Sequence, residues 1–511
     1  MKNMRKIASV LLALVMVIAL AAPVFAAETD ANLSGHTYEA YQIFAGTQAE
    51  NNATLGNITW GDGINGTAFL AALQADTNIG TTFANCETAA DVAAAMTGWS
   101  DESDNAMAFA KIAYSHIIEG KGIPCENGVT PLNAGYYLVV DVTENVTNSA
   151  YNLALLQLTK KGEFAIANKT DVPEVEKKVQ DINDSTGEVS GWQDSADHDI
   201  FDSVPFQLTA TLASNVSDYN TYKIIFHDTL SAGLTFDGEE SVKITFGDKN
   251  VTEYFDISCE NGQLTISCDD VKDFGATDGS KIVVEYTATL NEGAKIGSAG
   301  NPNKVYLEYS NNPNWTGSGE PGTPDDDEPT GKTPEDVVIV FTYETIVNKI
   351  DQDGNALAGA TFELSKKTMN EDGSFEWVVL DTVELNEEMT TFSWTGLDDG
   401  EYMLHESVTP PGYNTIADIY FTITATHDEE AVEPKLLTLT VDNTQFTVDA
   451  ETGETGTTYS GEISADVINQ SGVQLPETGG IGTTMFYIFG AVMVLGAAVL
   501  LVTKKRMSIA E

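Results

Sequence analysis

Several lysines, carboxylic acids and asparagines in this chain fall in step with apolar residues, on the faces that strands bury. In PEVEKKVQD, Val175, Lys177 and Val179 share a face, which favours Lys177 over Lys178 as the inward lysine. In ADHDIFDSVPF, Ile200, Asp202, Val204 and Phe206 fall together. In GNPNKVYLEYSNN, so do Asn303, Val305, Leu307 and Tyr309, with Lys304 and Glu308 turned outward. Further on, Glu406 shares a face with Tyr402 and Leu404, and Asn469 with Ile463, Ala465 and Val467. Lys349 is in step with Val347, but Ile346 and Ile350 take the opposite face, so alternation leaves its direction open. Apolar surroundings disfavour charge. A buried Lys can therefore be a neutral nucleophile, and a buried carboxylic acid a protonated hydrogen-bond donor. For any one of these lysines alone, a surface side chain with its stem laid on the sheet would be the ordinary reading.

The elements that must hold these residues are strands. From residue 171 to 343 the pattern is short strands with turn signals, as in an all-β sandwich, and residues 344–472 form a further all-strand unit. Residues 27–170 differ. Strands from His36 to Phe44 and from Tyr136 to Val142 enclose helical stretches at Thr67–Ala75, Thr88–Met96 and Asn105–Glu119, the last ending at Gly120. The expected fold is therefore mainly β, in tandem sandwiches, the first carrying a helical insertion. The acidic stretch from Asn311 to Thr333 and the Asp351–Gly354 segment lack the spacing of a calcium loop and read as turns between strands.

Both ends carry sorting features. Lys2, Arg5 and Lys6 precede an apolar run from Ile7 to Ala22 and a small-residue site near Ala26, so residues 1–26 read as a secretory signal peptide. Residues 473–511 contain Leu475-Pro476-Glu477-Thr478-Gly479, an uncharged span 481–502 long enough to cross a bilayer, and Lys504-Lys505-Arg506. The formal charge is −52, from 25 Lys+Arg against 77 Asp+Glu, which disfavours nucleic acid and anionic membrane as partners. The membrane is expected to be met only through the C-terminal span. The 6 His form no metal-ligand motif and no glycine loop cradles a phosphate, so neither metal nor cofactor is expected. Four Cys allow three pairings. Cys259 faces Leu264 across the Asn261-Gly262 turn, not Cys268, and this pair reads as small buried thiols; a Cys86–Cys125 bridge stays open.

LPETG, the apolar span and the basic tail together resemble the sorting signal of Gram-positive wall-anchored proteins. That resemblance implies that a sortase cuts between Thr478 and Gly479 and joins Thr478 to an amine. GHTYEAYQIFAG (Gly35 to Gly46) resembles the opening of N-terminal domains of Gram-positive pilins. VNKIDQDGNALAGATFEL, GLDDGEYMLHESVTPPGY and ISADVINQSG are similar to the first, middle and last strands of prealbumin-like, collagen-adhesin B-type domains. This implies a covalent bond from Lys349 to Asn469, assisted by Glu406. The unit before it resembles the collagen-adhesin A-type domain, with Phe201 where the family has Gly. That implies a bond from Lys177 to Asn303 assisted by Asp202, with Asn301 and Asn311 as neighbouring amides. Shaft pilins of this kind offer a Lys at the end of the first domain, in a YPKN-like motif, to the sortase-bound Thr of the next subunit. Here Lys169 has that position, preceded by Ala167-Asn168 instead of Tyr-Pro, and Lys160 and Lys161 are alternatives.

The expected function is thus a non-enzymatic pilus backbone subunit that supports adhesion, secreted and covalently attached to the cell wall. Its implied partners are sortase, other pilin subunits and the peptidoglycan cross-bridge; the sequence names no host ligand. A monomeric wall-anchored adhesin and a wall-anchored hydrolase are the competing readings, the latter without any visible paired-carboxylate or metal site.

Overall fold

The structure is a computed structural model of the chain. It describes residues 36–48, 55–99, 103–125, 132–143, 150, 153–158, 171–315, 328–370, 372–380, 388–453, 456–472 and 481–507. The signal peptide, Lys160, Lys161, Lys169 and the LPETG motif lie outside these residues.

The first unit is built on one five-stranded sheet. It begins with β1 (Tyr38–Gln48) and β2 (Leu55–Trp60), whose turn leads into the helical excursion α1 (Gly66–Ala75), α2 (Ala89–Ala95) and α3 (Asp104–Tyr114). Strands β3 (Gly135–Asp141) and β4 (Leu153–Leu158) complete the path β2-β1-β3-β4. The side chains of Asn65, Thr88 and Ser103 each accept a backbone N–H three residues on, which fixes where the three helices start. Phe69, Phe83 and Phe109 pack against Phe44 and Tyr136 of the sheet, while Tyr38, Tyr137 and Leu156 are buried on its other face. The third helix stops at Tyr114, a turn or more before the expected Glu119. Ile117 instead bridges to Ile64, and Gly120, at φ 75°, turns the chain beyond the helix.

The middle unit contributes β5 (Glu174–Asn183), β6 (Ser195–Asp197), β7 (Ser203–Thr211), β8 (Ile224–Leu230), β9 (Lys281–Leu290), β10 (Asn301–Ser310) and β11 (Asp336–Phe341). Two seven-stranded sheets face each other. One runs β8-β10-β11-β6, the other β9-β7-β5, each widened by shorter strands. Two-residue alternation buries one side of β7, β8 and β9, each of which alternates buried with at least partly exposed positions. Cys259 is opposite Leu264, as the Asn261-Gly262 turn demands. Cys86, Cys259 and Cys268 are free thiols. Cys268 is buried, but Cys259 is exposed, so only one of the pair is the buried thiol expected.

Thr342 alone separates β11 from β12 (Tyr343–Asp351), the first strand of the third unit. There follow β13 (Thr361–Met369), β14 (Phe375–Val379), β15 (Thr391–Leu397), β16 (Gly400–Val408), β17 (Ile419–His427) and β18 (Gly456–Asn469). A four-stranded sheet holds β15-β12-β18 with Phe446–Gly453. It faces a five-stranded sheet of β14-β13-β16-β17 with Leu436–Val441. First strand β12 and last strand β18 lie side by side and parallel, Lys349 opposite Val467. The Asp351 carboxylate accepts the N–H groups of Asp353 and Asn355, closing the turn expected there. Beyond it α4 (Ile481–Met507) forms a single helix whose described side chains, 487–501, are exposed. These described side chains are too few to span a bilayer, so among the described residues no helix is long and apolar enough to cross a membrane.

Candidate functional site

The alternation that buries valines and leucines on β5 also buries Lys177, which has no solvent exposure. Its strand shares a sheet with those of Phe206 and Tyr286, and faces Asp228 and Asn303 on the other sheet. Lys177 Nζ bonds Asp228 Oδ2 of β8 and donates to Tyr286 Oη of β9 at 3.0 Å. Tyr286 Oη donates to Asp228 Oδ2 at 2.9 Å and accepts from Asn303 Nδ2 of β10 at 2.8 Å. Asp228 and Asn303 are fully buried, and Leu230, two residues from Asp228, sits opposite Asn303 in the β8–β10 ladder. Phe206 and Tyr286 present their rings to the Lys177 amine at 5.3 and 5.4 Å. Burial pushes the Lys177 ammonium below its ordinary pKa, with Asp228 opposing, and pushes the Asp228 carboxyl above its own, with Lys177 opposing. Both shifts run toward a neutral amine beside a protonated acid. Asp228 Oδ1 and Asn303 Oδ1 have no hydrogen-bond partner.

The carboxyl of this centre is Asp228, not the expected Asp202. Asp202 precedes the first residue of β7, at a turn that Phe201 makes with φ 74°. Its side chain is 33% exposed and accepts the N–H of Asp199 at 3.1 Å. Lys177 pairs with Leu208, six residues along β7 from Asp202, roughly 20 Å at the usual rise of a strand. The signal for Asp228 was present in KIIFHDTL, where Ile224, Phe226, Asp228 and Leu230 share the buried face. Asn301 and Asn311 are also buried, but Asn301 bonds Lys295 and Val340 main-chain groups rather than this cluster.

In the third unit the burial of β12 settles what alternation left open: Lys349 points inward with Tyr343, Thr345 and Val347 and has no exposure. Its Nζ donates to the carbonyls of Ile350 and Val467, both at 2.9 Å. Asn469, two residues beyond Val467, donates from Nδ2 to Glu406 Oε1 of the facing sheet at 2.8 Å. Glu406 Oε2 accepts from Thr409 Oγ1 and from the Ile416 N–H, both at 3.1 Å, which fixes the carboxyl in place. Burial lowers the Lys349 pKa, against the raising pull of Glu406 and Asp351. Asn469 Oδ1, like Asn303 Oδ1, has no partner.

A third buried lysine, Lys366 of β13, behaves differently. It reaches Asp199, Asp398 at 3.2 Å and Asp184 at 3.4 Å. Burial opposes its charge, but Tyr402 and the carboxylates of Asp398, Asp199 and Asp184 outweigh it and hold the amine above its ordinary value. Lys366 is thus a structural cation between the middle and third units, whereas Lys177 and Lys349 are held toward the nucleophilic form.

Three family matches fall on these features. The prealbumin-like fold domain matches residues 344–438, the Gram-positive pilin backbone subunit 2 Cna-B-like domain residues 200–313, and the LPXTG cell wall anchor motif residues 468–508. The trypsin-resistant surface T6 protein of Streptococcus pyogenes serotype M6 is 26% identical over 402 residues, 68% of this chain and 71% of that protein. The T6 backbone pilin structure from serotype M6 Streptococcus pyogenes aligns at TM-score 0.50 and 18% identity, covering 86% of this chain and 96% of that one. The full-length major pilin SpaD of Corynebacterium diphtheriae aligns at TM-score 0.42 and 15% identity, covering 86% and 93%. Fold and anchor define a secreted, wall-attached protein of tandem β-sandwich domains. Within that class the chain is similar to Gram-positive pilin backbone subunits, through the pilin backbone match over residues 200–313 and the prealbumin-like match over 344–438.

Proposed function

We propose that this backbone subunit locks two of its sandwiches with intramolecular isopeptide bonds, Lys177 to Asn303 and Lys349 to Asn469. The observation that carries the reading is a lysine amine buried without exposure, beside an Asn and a carboxyl, in two successive units. In each, Lys Nζ attacks the Asn Cγ, the new C–N bond replaces the bond to Nδ2, and the amide nitrogen leaves as ammonia. Asp228 and Glu406 are the assisting acids. In the middle unit a proton on Asp228 Oδ1 turns an orphan oxygen into a donor for the orphan Asn303 carbonyl, polarising it for attack. Folding supplies the proximity, which can lower such a barrier by about 7–11 kcal/mol. Closing a loop of more than a hundred residues also constrains the unfolded chain, about 4.7 kcal/mol for a 100-residue loop in the chain-entropy estimate. Under pulling, load in the third unit passes through a covalent bond between its first and last strands instead of through hydrogen bonds.

The domain boundaries we assign are 27–170, 171–343 and 344–472, after a signal peptide 1–26 and before a sorting signal 473–511. In this reading span 481–502 holds the precursor in the membrane until sortase acylates itself with Thr478 of LPETG. The acyl group then passes to Lys169 of another subunit, or to the peptidoglycan cross-bridge at the base of the fibre. Intact mass of the secreted chain is the test. Two bonds lower it by about 34 Da, two ammonia molecules. The uncorrected sequence mass would remove both bonds from the proposal.

A further inference from the structure

The junction between the middle and third units holds a second constellation, unrelated to the cross-links. Asp181 of β5 and Asp197 of β6 come from the middle unit, and His427 closes β17 of the third. His427 Nε2 is 3.6 Å from Asp181 Oδ2 and 3.5 Å from Asp197 Oδ1. These spacings are long for hydrogen bonds. They match the edge of a tetrahedron around zinc, about 3.4 Å when Zn–N and Zn–O are near 2.1 Å. The imidazole is also oriented as a ligand would be. Ser195 Oγ has a single proton, which it donates to the carbonyl of Asp428. Its 2.8 Å contact with His427 Nδ1 must therefore be Nδ1–H donating to Oγ, which leaves Nε2 facing the two carboxylates. A hydrogen bond from the far ring nitrogen is the usual second support of a metal-bound His. The Asp197 N–H, donating to Asp181 Oδ2 at 3.2 Å, steadies one carboxylate. Asp197 itself is 3% exposed, and its Oδ2 has no partner. A polar cleft of about 490 Å³ opens onto Asp181, Asp197 and His427, giving an ion a way in and a water the fourth position.

We propose that Asp181, Asp197 and His427 bind one divalent transition ion of the Zn²⁺ type, which clasps the middle unit to the third. Two carboxylate oxygens and one imidazole nitrogen favour such an ion over Ca²⁺, which takes six to eight oxygens. The experiment is calorimetric titration of ZnCl₂, and separately CaCl₂, into the EDTA-treated full secreted chain, with visible absorption of the Co²⁺-loaded protein. One Zn²⁺ per chain at micromolar concentration, and Co²⁺ bands of four-coordinate intensity, are expected. His427→Gln and Asp181→Asn should each weaken binding at least tenfold while the metal-free melting curve stays close to wild type. If His427→Gln does not fold, Asp181→Asn carries the comparison. No stoichiometric binding at millimolar Zn²⁺ would leave only an imidazolium between two carboxylates and overturn the proposal. So would affinity unchanged in both variants, or Ca²⁺ binding the same residues as tightly as Zn²⁺.

Discussion

Among the described residues three lysines are buried beside carboxyl groups, and their surroundings send them in different directions. Lys366 faces three aspartates and stays an ammonium; Lys177 and Lys349 each have desolvation as the dominant influence and are pushed toward the free amine. Charge balance at the residue scale thus separates a structural cation from two nucleophiles. The same argument ranks the two candidate acids of the middle unit. Asp228→Asn should stop the Lys177–Asn303 bond and restore about 17 Da, one ammonia, to the intact mass. Asp202→Asn, at the turn before β7, should leave the mass at the wild-type value. The reverse pattern would return the role to Asp202. Asp228→Ala should also lower stability by about 1–3 kcal/mol where the Lys177 amine remains unbonded, because that amine and the Tyr286 hydroxyl lose a buried hydrogen-bond partner.

Strands set the geometry in which these residues meet, and they also set how much could be read from sequence. A strand face repeats every two residues, so Lys177, Asn303, Glu406 and Asn469 were legible from their apolar neighbours alone, and the structure buries all four. Alternation fails where the strand ends. Asp202 keeps the parity of Val204 and Phe206, yet Phe201 has already turned the chain, so its parity has no sheet to act in. Asp228 obeys the rule, on one buried face with Ile224, Phe226 and Leu230, whereas the family's pattern points to the earlier acid. Lys349 needed the fold: burial of Thr345, Val347 and Lys349 together shows which side of β12 faces the opposing sheet. The Lys366 cluster and the His427 set were beyond reach, because their members come from separate units. The strand arrangement also carries a pH prediction for Asn303→Ala, which leaves Lys177 and Asp228 buried and unbonded. The folded Lys177 pKa lies below its ordinary 10.5, so between the two values the unfolded chain binds more protons and stability rises with pH. The folded Asp228 pKa lies above its ordinary 3.8, so from 3.8 upward to it the folded chain binds more and stability falls as pH rises. Melting temperatures of Asn303→Ala, taken relative to Lys177→Met/Asp228→Leu/Asn303→Ala, should pass through a minimum between about 4 and 10. A flat difference would mean the pair is not buried as described.

On the scale of the whole molecule, the middle and third units are joined by more than a linker. Gly461, at φ 93°, lies so close to Gly297 that an added Cβ would sit 2.4 Å from the Gly297 nitrogen. Nearby, Ser298 Oγ accepts the Tyr459 N–H at 2.9 Å, and the Gly297 N–H donates to the Thr342 carbonyl. Gly461→Ala should force this seam apart and lower stability by about 1–3 kcal/mol, from backbone strain together with the close contact. Thermal unfolding checks it, and an unchanged transition would deny that the two units share this contact. Two units in contact along this seam suit the proposed fibre, whose growth would be head-to-tail: Thr478 at one end of a subunit would join an amine on the next, a heterologous contact that does not close. That amine must be solvated and reachable, a requirement that fits the sequence position of Lys169 between the first and middle units. Lys169→Ala should therefore abolish the high-mass ladder in detergent-boiled wall extracts while leaving single subunits attached to the wall, since Thr478 can still be passed to peptidoglycan. Thr478→Ala should remove both ladder and wall attachment. Lys160→Ala and Lys161→Ala should keep the ladder. If Lys169→Ala keeps it and either of the others loses it, the acceptor lies there; if the wild type shows none, the protein acts on the wall as a monomer.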